Sequence, residues 1–315
     1  MSNRYLSALA ALLLALVLAA CGGSGETGAP TTSSSAAEPP AAFPVTVAAA
    51  DGELVLEQAP ERIVSLSPTA TESLFAIFAG DQVVAVDDQS NHPAEAPRTD
   101  LSSFQPNVEA VAGFEPDLVV ASFDPGGLVP GLGKLEIPVL LQESPTDLDG
   151  AYEQIETLGE ATGHADEAAA VVEDMQSRIE ELAASAEPEA RGLTVYHEIS
   201  PDFFSATSQT FIGSVYELLG LRNIADEAGG AAPDFPQLSA EYILDADPDV
   251  IVLADTTCCG QTAEKAAARP GWDTLSAIQD GNVVPVDDDL AARWGPRTVD
   301  FVEVVARALA EAGGS

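Results

Sequence analysis

Histidine and cysteine are the side chains best suited to metal binding or nucleophilic chemistry, and this sequence contains few of them. It has three histidines, at His92, His164 and His197, and an adjacent pair, Cys258 and Cys259. A catalytic zinc site, or a nucleophile with its base, needs several such groups at a recognisable spacing. The sequence contains no H-E-x-x-H, G-x-S-x-G or C-x-x-C pattern. We therefore predict that the protein is not an enzyme, and a secreted hydrolase using His92 or His197 is kept as a remote alternative.

Polar and aromatic side chains instead collect in segments that follow or connect predicted strands. Such segments lie at the carboxyl ends of strands, where the ligand loops of open α/β sheets are found. Four segments have this character: Asp87–Pro93, Ser102–Pro106, Ser122–Gly127 and His197–Thr207. Their position predicts a ligand-binding site formed by loops.

A β-α-β unit is predicted to position the first of these loops. Ile63–Leu66 is an apolar run typical of a buried strand, and Thr69 and Glu72 form a capping-box pattern ahead of an apolar helix. Gly80 ends that helix, and Val83–Val86 begins the next strand. The pattern predicts an α/β fold.

The chain also contains a repeat. Glu109-x-Val111 followed by Pro116–Val120 matches Glu241-x-Ile243 followed by Pro248–Val252, with seven residues from glutamate to proline in both copies. Each copy predicts a helix, a turn and a buried strand. Two copies favour two similar α/β lobes with a ligand between them.

A predicted helix lies between the two copies. In the segment 165–186, apolar residues recur at Val172, Met175, Ile179 and Leu182, which places them on one face of a helix of about six turns. One alternative is an amphipathic surface helix inside a single domain, but the repeat on both sides favours a connector between lobes. The predicted boundaries are an N-terminal lobe at 43–163, the connecting helix at 164–187 and a C-terminal lobe at 188–315.

The first residues predict an export signal and a lipid anchor. Arg4 precedes an apolar run over 6–20, which is short for a membrane span and suits a secretory signal. The run ends in Leu-Ala-Ala-Cys-Gly, which resembles a bacterial lipoprotein signal in which Cys21 is acylated. Ordinary cleavage after the alanine-rich segment is the alternative. We predict a signal peptide at 1–20, a flexible tether at 21–42 and attachment to the outer face of the cell membrane.

Composition excludes one class of partner. The 315-residue chain has 12 lysines and arginines against 51 acidic residues, a formal net charge of −39. Nucleic-acid binding needs clustered cations to contact phosphates, so nucleic acid is excluded as a partner.

Four motifs together resemble a known family. Arg62–Glu72, Glu115–Val120, the Gly159–Ala170 junction and Trp294–Arg297 look like the substrate-binding proteins of ABC importers for ferric siderophores, haem and cobalamin. The resemblance covers about residues 43 to 312 and implies two Rossmann-like α/β lobes joined by a single long backbone helix, the class III periplasmic-binding-protein fold. It implies a monomer with no intrinsic cofactor, which delivers a metal chelate to a permease and its ATPase with small lobe movements.

The resemblance also implies roles for individual residues. Glu72 and Glu217 match acidic residues that dock on the permease; a capping-box role for Glu72 and an ordinary solvated position for Glu217 are the alternatives. His197 is a candidate either to ligate the metal of the chelate or to donate a hydrogen bond, and an ordinary structural or surface position is the alternative. His164 belongs to a helix start. Implied ligand contacts are Asp88, His92, Phe104, Gln105, Phe123, His197, Phe203, Phe204, Thr257, Cys258, Cys259, Gln261, Arg293 and Trp294.

The identity of the chelate stays open between cobalamin or another corrinoid and a ferric siderophore, with haem third. Arg293 and Arg297 are the main cations expected in the cleft, and anionic chelates usually need more, which favours cobalamin or a neutral siderophore. A scavenger or sensor that works without a permease is a further alternative.

The Cys258 and Cys259 pair departs from the general family pattern. Outside the cytoplasm the two thiols can oxidise to a vicinal disulfide, whose small ring would form an apolar lip on the cleft. Two free thiols, or pairing between chains, are the alternatives.

Overall fold

The first sheet contains five parallel strands. The computed structural model describes residues 43–185, 191–228 and 232–312, and the strand order in this sheet is β5-β4-β3-β6-β7. All residues of β3 and β6 are buried, as expected for central strands covered by helices on both faces. The strands are β3 (Ile63–Leu66), β4 (Val83–Asp87), β5 (Arg98–Leu101), β6 (Leu118–Ala121) and β7 (Val139–Leu141).

An antiparallel hairpin precedes this sheet and four helices accompany it. The hairpin pairs Val45 with Leu56 and Ala49 with Gly52. The hairpin strands are β1 (Val45–Ala49) and β2 (Gly52–Leu56). The helices are α1 (Pro68–Ala76), α2 (Val108–Ala112), α3 (Leu128–Gly133) and α4 (Leu148–Thr162).

The capping-box prediction for α1 is wrong. The N-cap residue is Ser67, whose hydroxyl accepts a hydrogen bond from the Ala70 backbone amide, and Pro68 occupies the first helical position. Proline is favoured there because its fixed φ suits the first turn and its missing amide hydrogen would have no partner inside the helix. The helix therefore starts before Thr69, and Glu72 lies within it and is free of any capping role.

The second sheet contains four parallel strands in the order β11-β10-β8-β9. These are β8 (Thr194–Glu198), β9 (Arg222–Asn223), β10 (Val250–Leu253) and β11 (Val283–Pro285). The helices of this half are α6 (Phe211–Leu218), α7 (Ala240–Ala246), α8 (Thr256–Cys259), α9 (Ala263–Ala267), α10 (Ser276–Gln279), α11 (Asp288–Ala292) and α12 (Thr298–Ala312). Both halves are thus α/β layers, which confirms the predicted fold class.

The repeated Pro-Asp pair has the same structural role in both sheets. The Asp117 carboxylate accepts hydrogen bonds from the backbone amides of Glu61 and Arg62, each 2.8 Å long. In the second sheet the Asp249 carboxylate accepts from the backbone amide and the hydroxyl of Thr194, each 2.7 Å long. Each aspartate therefore holds the start of its own strand against the start of the neighbouring strand, which explains why the motif occurs twice.

Helix α5 (Ala165–Ser185) connects the two halves. Val172, Met175 and Ile179 are buried on one face, as their spacing predicts, and the helix packs against α4 and α12. A Cβ added at Gly159 would lie 2.4 Å from the Cβ of Ala168, so a glycine is needed where α4 meets α5. The predicted lobe boundaries at 163 and 188 stay a prediction.

The predicted signal peptide, tether and Cys21 lie outside the described residues. Across the ranges that the structure does describe, no helix has the length and apolar character required to cross a membrane.

Candidate functional site

The site is a cleft with two cavities that share one wall. The first, called the N-side cavity, has a volume of about 590 Å³ and is bordered mainly by loops that follow β3, β4, β5 and β6. The second, called the C-side cavity, has a volume of about 440 Å³ and is bordered mainly by residues at the ends of β8 and β10 and the start of α6. Ser144, Ala292 and Trp294 border both. The carboxyl ends of both sheets therefore contribute to one cleft, as the sequence predicts.

Trp294 is the largest side chain in the shared wall. Its indole Nε1 donates a hydrogen bond to Gln154 Oε1 over 2.8 Å, and its ring makes an edge contact with Phe211, with centroids 6.5 Å apart. Trp294 lies two residues after the end of α11, and its hydrogen bond to Gln154 connects the C-terminal half to α4. Its position fits contact with a ligand that occupies both cavities.

Two phenylalanines add to the aromatic border that Trp294 provides for the N-side cavity. Phe104 and Phe123 both border it, their ring centroids lie 5.6 Å apart, and Phe104 is 65% exposed. A large apolar side chain with this exposure marks a surface that a ligand or partner can cover. Both residues belong to the predicted set of ligand contacts.

Several predicted contacts are not among the residues that border these two cavities. Asp88 borders a separate surface cavity with Arg98, and His92 and Gln105 are exposed outside both cavities. The structure does not bring these three side chains to the cleft wall.

Phe203 is placed differently from the prediction. Phe204 borders the C-side cavity, but the Phe203 ring stacks on Trp272 with centroids 5.9 Å apart and lies under the Arg269 guanidinium. Phe203 therefore packs within the C-terminal half and does not face the cleft. The two adjacent rings have opposite environments, which a loop pattern cannot distinguish.

His197 borders the C-side cavity and is fully buried. Its Nδ1 lies 2.6 Å from the Tyr216 hydroxyl, whereas its Nε2 has no hydrogen-bond partner in the described parts of the chain. Burial lowers the pKa of His197 to about 3, so the imidazole is neutral at ordinary pH.

Next to His197 lies a buried charged cluster that the sequence analysis missed. The Glu198 carboxylate accepts two hydrogen bonds of 2.5 Å from Arg269, and the Arg269 guanidinium lies 4.4 Å from the centre of the Trp272 ring. Asp255, two residues beyond the end of β10, is fully buried, and burial together with the nearby Glu198 charge raises its pKa to about 7. The available signal was an acidic residue immediately after an apolar run.

Asp255→Asn is expected to stabilise the protein in a pH-dependent way. The folded-state pKa of Asp255 exceeds the ordinary value of 3.8, so between pH 3.8 and about 7 the native state binds more protons than the unfolded state. The stabilisation that this proton provides is fully present below pH 3.8 and is lost as the pH rises to about 7. The variant lacks this loss, so its free energy of unfolding should exceed that of the wild type by roughly 4 kcal/mol at pH 8 and by less than about 1 kcal/mol at pH 4. Urea unfolding at the two pH values measures this, and an equal difference at both would contradict it.

A disulfide joins Cys258 and Cys259, which are both exposed. This outcome selects the vicinal disulfide from the three alternatives. The Asp288 carboxylate accepts hydrogen bonds from the backbone amides of Thr257 and Cys258, over 2.8 and 2.7 Å, and Asp288 borders the C-side cavity. The disulfide thus lies beside the C-side cavity, and neither cysteine borders it. The prediction that the disulfide forms an apolar lip on the cleft is therefore wrong.

Gln261 also lies outside the two cavities. Its side-chain oxygen accepts a hydrogen bond of 3.2 Å from Arg269. It therefore belongs to the surroundings of the charged cluster of Glu198 and Arg269.

A second buried cluster joins the two halves of the molecule. Glu72, in α1, is 3% exposed. Its Oε1 accepts hydrogen bonds from Arg293 over 2.7 Å and Arg297 over 2.6 Å, and its Oε2 accepts a further bond of 2.8 Å from Arg297. Arg293 also contacts the Asp289 carboxylate at 2.8 Å. We call Glu72, Arg293 and Arg297 the interlobe cluster.

The interlobe cluster corrects two predictions. Docking of Glu72 on a permease requires an outward-facing carboxylate, and the structure contradicts this requirement because both oxygens are buried against arginines. Arg293 borders the N-side cavity as predicted, but its charge and that of Arg297 are paired with carboxylates. Within the described residues, the two cavities therefore offer a ligand no unpaired cation.

Glu217 lies on the outer surface of the C-terminal half. It is an exposed residue of α6 and borders a separate cavity of about 450 Å³ together with Arg222, Asp226 and Glu227. Unlike the buried Glu72, Glu217 is accessible at the surface.

The fold and the cleft define an extracytoplasmic substrate-binding protein with two α/β halves and one connecting helix. The chain belongs to the periplasmic binding protein family, whose model matches residues 63–290. This confirms the resemblance noted in the sequence.

Relatives support the same assignment. The chain is 30% identical over 310 residues to the uncharacterized ABC transporter substrate-binding lipoprotein YvrC of Bacillus subtilis, covering 95% of both chains. It is 33% identical over 280 residues to a cobalamin-binding protein of Halobacterium salinarum, covering 85% of this chain and 74% of that one. Among solved structures, the periplasmic vitamin B12 binding protein BtuF of Vibrio cholerae matches with a TM-score of 0.69 and 26% identity, covering 81% of this chain and 99% of that one.

Proposed function

We propose that the protein captures a metal chelate in the interlobe cleft and delivers it to the permease and ATPase of an ABC importer. The observation that carries the proposal is the pair of cavities at the carboxyl ends of both sheets, which share Trp294 and have aromatic walls. Family membership and the relatives described above support the same role. In this proposal the protein binds and transfers its ligand without catalysis.

The charge of the cleft favours cobalamin, another corrinoid or a neutral siderophore over an anionic chelate. A buried anion needs a cation or several donors to replace its hydration. Arg293 and Arg297 are already paired with Glu72, and Asp288 and Asp289 add negative charge at the cavity borders. Haem, which carries two propionates, is therefore the less favoured alternative. The likeness to cobalamin-binding proteins supports the same order.

We further propose which surfaces make the functional contacts. The ligand would contact Phe104, Phe123, Phe204 and Trp294, which border the cavities. The exposed Glu217 would dock on the permease, and an acylated Cys21 would hold the monomeric protein at the outer face of the membrane. A scavenger or sensor without a permease would share the cleft and lack the docking interaction.

Tryptophan fluorescence tests ligand capture because the two tryptophans have different surroundings. Trp272 is 1% exposed within the C-terminal half, whereas Trp294 borders both cavities. Titration with cyanocobalamin, a neutral hydroxamate siderophore, a catecholate siderophore and haem should quench Trp294 saturably for one of the first two. Absence of saturable quenching, checked by calorimetry, with every one of them would overturn the proposal.

Trp294→Ala is expected to raise the Kd of the chelate about 10-fold to 100-fold. The ring forms the wall common to both cavities, and truncation of a central aromatic residue typically removes one to a few kcal/mol of binding energy. Calorimetric titration measures the change. Phe78→Ala is the control because Phe78 is 75% exposed and borders neither cavity, and an equal loss in both variants would contradict a specific role for Trp294.

A further inference from the structure

Two residues on the border of the C-side cavity, His197 and Ser200, have a buried polar atom without a hydrogen-bond partner in the described parts of the chain, and His197 is the larger and more specific of the two. The side chain is fully buried and borders the C-side cavity, and no protein atom in the described ranges pairs with its Nε2. Buried polar atoms in native proteins nearly always have a hydrogen-bond partner. An unpaired ring nitrogen at a cavity wall is therefore suited to a group of the ligand.

Tyr216 determines which ring nitrogen carries the hydrogen. The Tyr216 hydroxyl is fully buried and lies 2.6 Å from His197 Nδ1, which is its hydrogen-bond partner within the described structure. Burial raises the pKa of Tyr216 well above its ordinary value, so the hydroxyl keeps its hydrogen. That hydrogen needs an acceptor, and only an unprotonated Nδ1 accepts it. A neutral imidazole with an unprotonated Nδ1 carries its hydrogen on Nε2, at the unpaired position.

This tautomer makes His197 a donor and prevents it from ligating a metal. A protonated Nε2 has no lone pair available for iron or cobalt. Metal ligation would require the hydrogen to move to Nδ1, where it would face the Tyr216 hydroxyl hydrogen and leave one of two buried donors without an acceptor. The Tyr216 ring is held in place by an edge contact with Phe301, with centroids 6.1 Å apart.

The surroundings of Nε2 select a neutral acceptor. The described residues that border the C-side cavity include no lysine or arginine, and most are apolar, among them Ile199, Phe211 and Ala254. Asp288, the acidic residue at the border, already accepts from backbone amides. An anionic ligand group here would lose its hydration without gaining a cation, whereas a neutral carbonyl gains a hydrogen bond in a low-dielectric environment.

We infer that His197, oriented by Tyr216, donates its Nε2 hydrogen to a neutral carbonyl oxygen of the bound chelate, such as a carboxamide, and does not coordinate the metal. The inference rests on the proposed function and assigns a role to one side chain of that site. Tyr216 is a positioning residue in this arrangement. Cyanocobalamin and aquacobalamin, which carry peripheral carboxamides, are the probes.

The tautomer is measured first, in the protein without ligand. Nitrogen-15 NMR of the three imidazoles, assigned with His197→Phe, should show a protonated Nε2 and an unprotonated Nδ1 for His197. A protonated Nδ1 would overturn the inference whatever the ligand proves to be.

Binding is measured next. His197→Phe should raise the Kd of cyanocobalamin about tenfold, a typical effect of losing one hydrogen bond in a desolvated site, and His197→Gln should restore most of the affinity because its amide also donates. Tyr216→Phe should weaken binding about twofold because the imidazole then populates both tautomers and only one of them donates from Nε2. Circular dichroism and thermal unfolding confirm that each variant is folded.

The outcomes separate the inference from the function on which it rests. The visible bands of aquacobalamin should stay those of the aqua complex on binding; a shift that disappears in His197→Phe would show coordination and overturn the inference. Equal affinity of wild type and His197→Phe would overturn the inference and leave chelate capture intact. Failure of the wild type to bind any probe or siderophore would overturn both.

Discussion

Glu72→Ala is expected to lower the free energy of unfolding by about 3–5 kcal/mol, the range found when one partner of a buried ion pair is removed. The substitution would remove three hydrogen bonds from the interlobe cluster and leave Arg293, which is 6% exposed, without its main buried carboxylate. Asp289 is the carboxylate that still contacts Arg293, and it is only partly buried. Urea unfolding of wild type and variant measures the loss.

Glu303→Ala is the matched control for this prediction. Glu303 also accepts a hydrogen bond from an arginine, Arg307, but the pair lies on the surface of α12 with 43% and 65% of its side chains exposed. Exposed ion pairs typically contribute less than about 1 kcal/mol. If Glu72→Ala costs no more than Glu303→Ala, the interlobe cluster does not hold the halves together.

The interlobe cluster has a mechanical consequence for ligand capture. Arg293 belongs both to this cluster and to the border of the N-side cavity, so movement of the halves and exposure of the cleft are coupled at one side chain. The connecting helix α5 offers no pair of flexible strands as a hinge. Both features support the expectation that ligand binding changes the arrangement of the halves only slightly.

The layers of the fold follow from local sequence patterns. The apolar runs of β3, β6 and β10 are buried at every position, which is what a continuous apolar strand of a covered parallel sheet requires. The Glu-to-Pro repeat revealed two related modules because Asp117 and Asp249 make equivalent bonds within their own halves. The buried face of α5 was also predictable, because the spacing of its apolar residues is visible within one short segment.

The candidate site was less predictable because its key contacts join distant parts of the chain. Glu72 and Arg293 are separated by 221 positions, and no local pattern shows that such a carboxylate is neutralised. The environment of His197 depends on Tyr216, which comes from a different element, and this converts an ambiguous histidine into a buried donor. Phe104, Phe123 and Trp294, which the family resemblance implied as ligand contacts, border the cavities because the loops at the carboxyl ends of both sheets meet at the cleft.

Glu217→Arg is expected to reduce uptake of the chelate by cells at least tenfold while the Kd of the chelate changes by less than about twofold. Glu217 is exposed on α6 and borders neither cleft cavity, so ligand affinity should not depend on it. It borders one surface cavity with Asp226, Glu227 and Arg222, where acidic residues outnumber the single arginine, and complementary charge at an interface steers and orients a partner. Reversing the charge at Glu217 should therefore weaken docking on a permease surface of complementary, basic charge. Uptake of labelled cyanocobalamin, in cells that carry the cognate permease and lack their own copy of the binding protein, measures the effect.

Glu173→Arg is the control because it makes the same change of charge at an exposed position of α5. It should leave both uptake and affinity unchanged, since a docking interaction depends on the position of the charge and the net charge of −39 changes equally in the two variants. Normal uptake by Glu217→Arg would contradict the docking role and favour the scavenger or sensor alternative. Equal losses in the two variants would point to a general effect of charge. Because Glu72 is buried in the interlobe cluster, the exposed Glu217 is the proposed docking residue that this pair of variants tests.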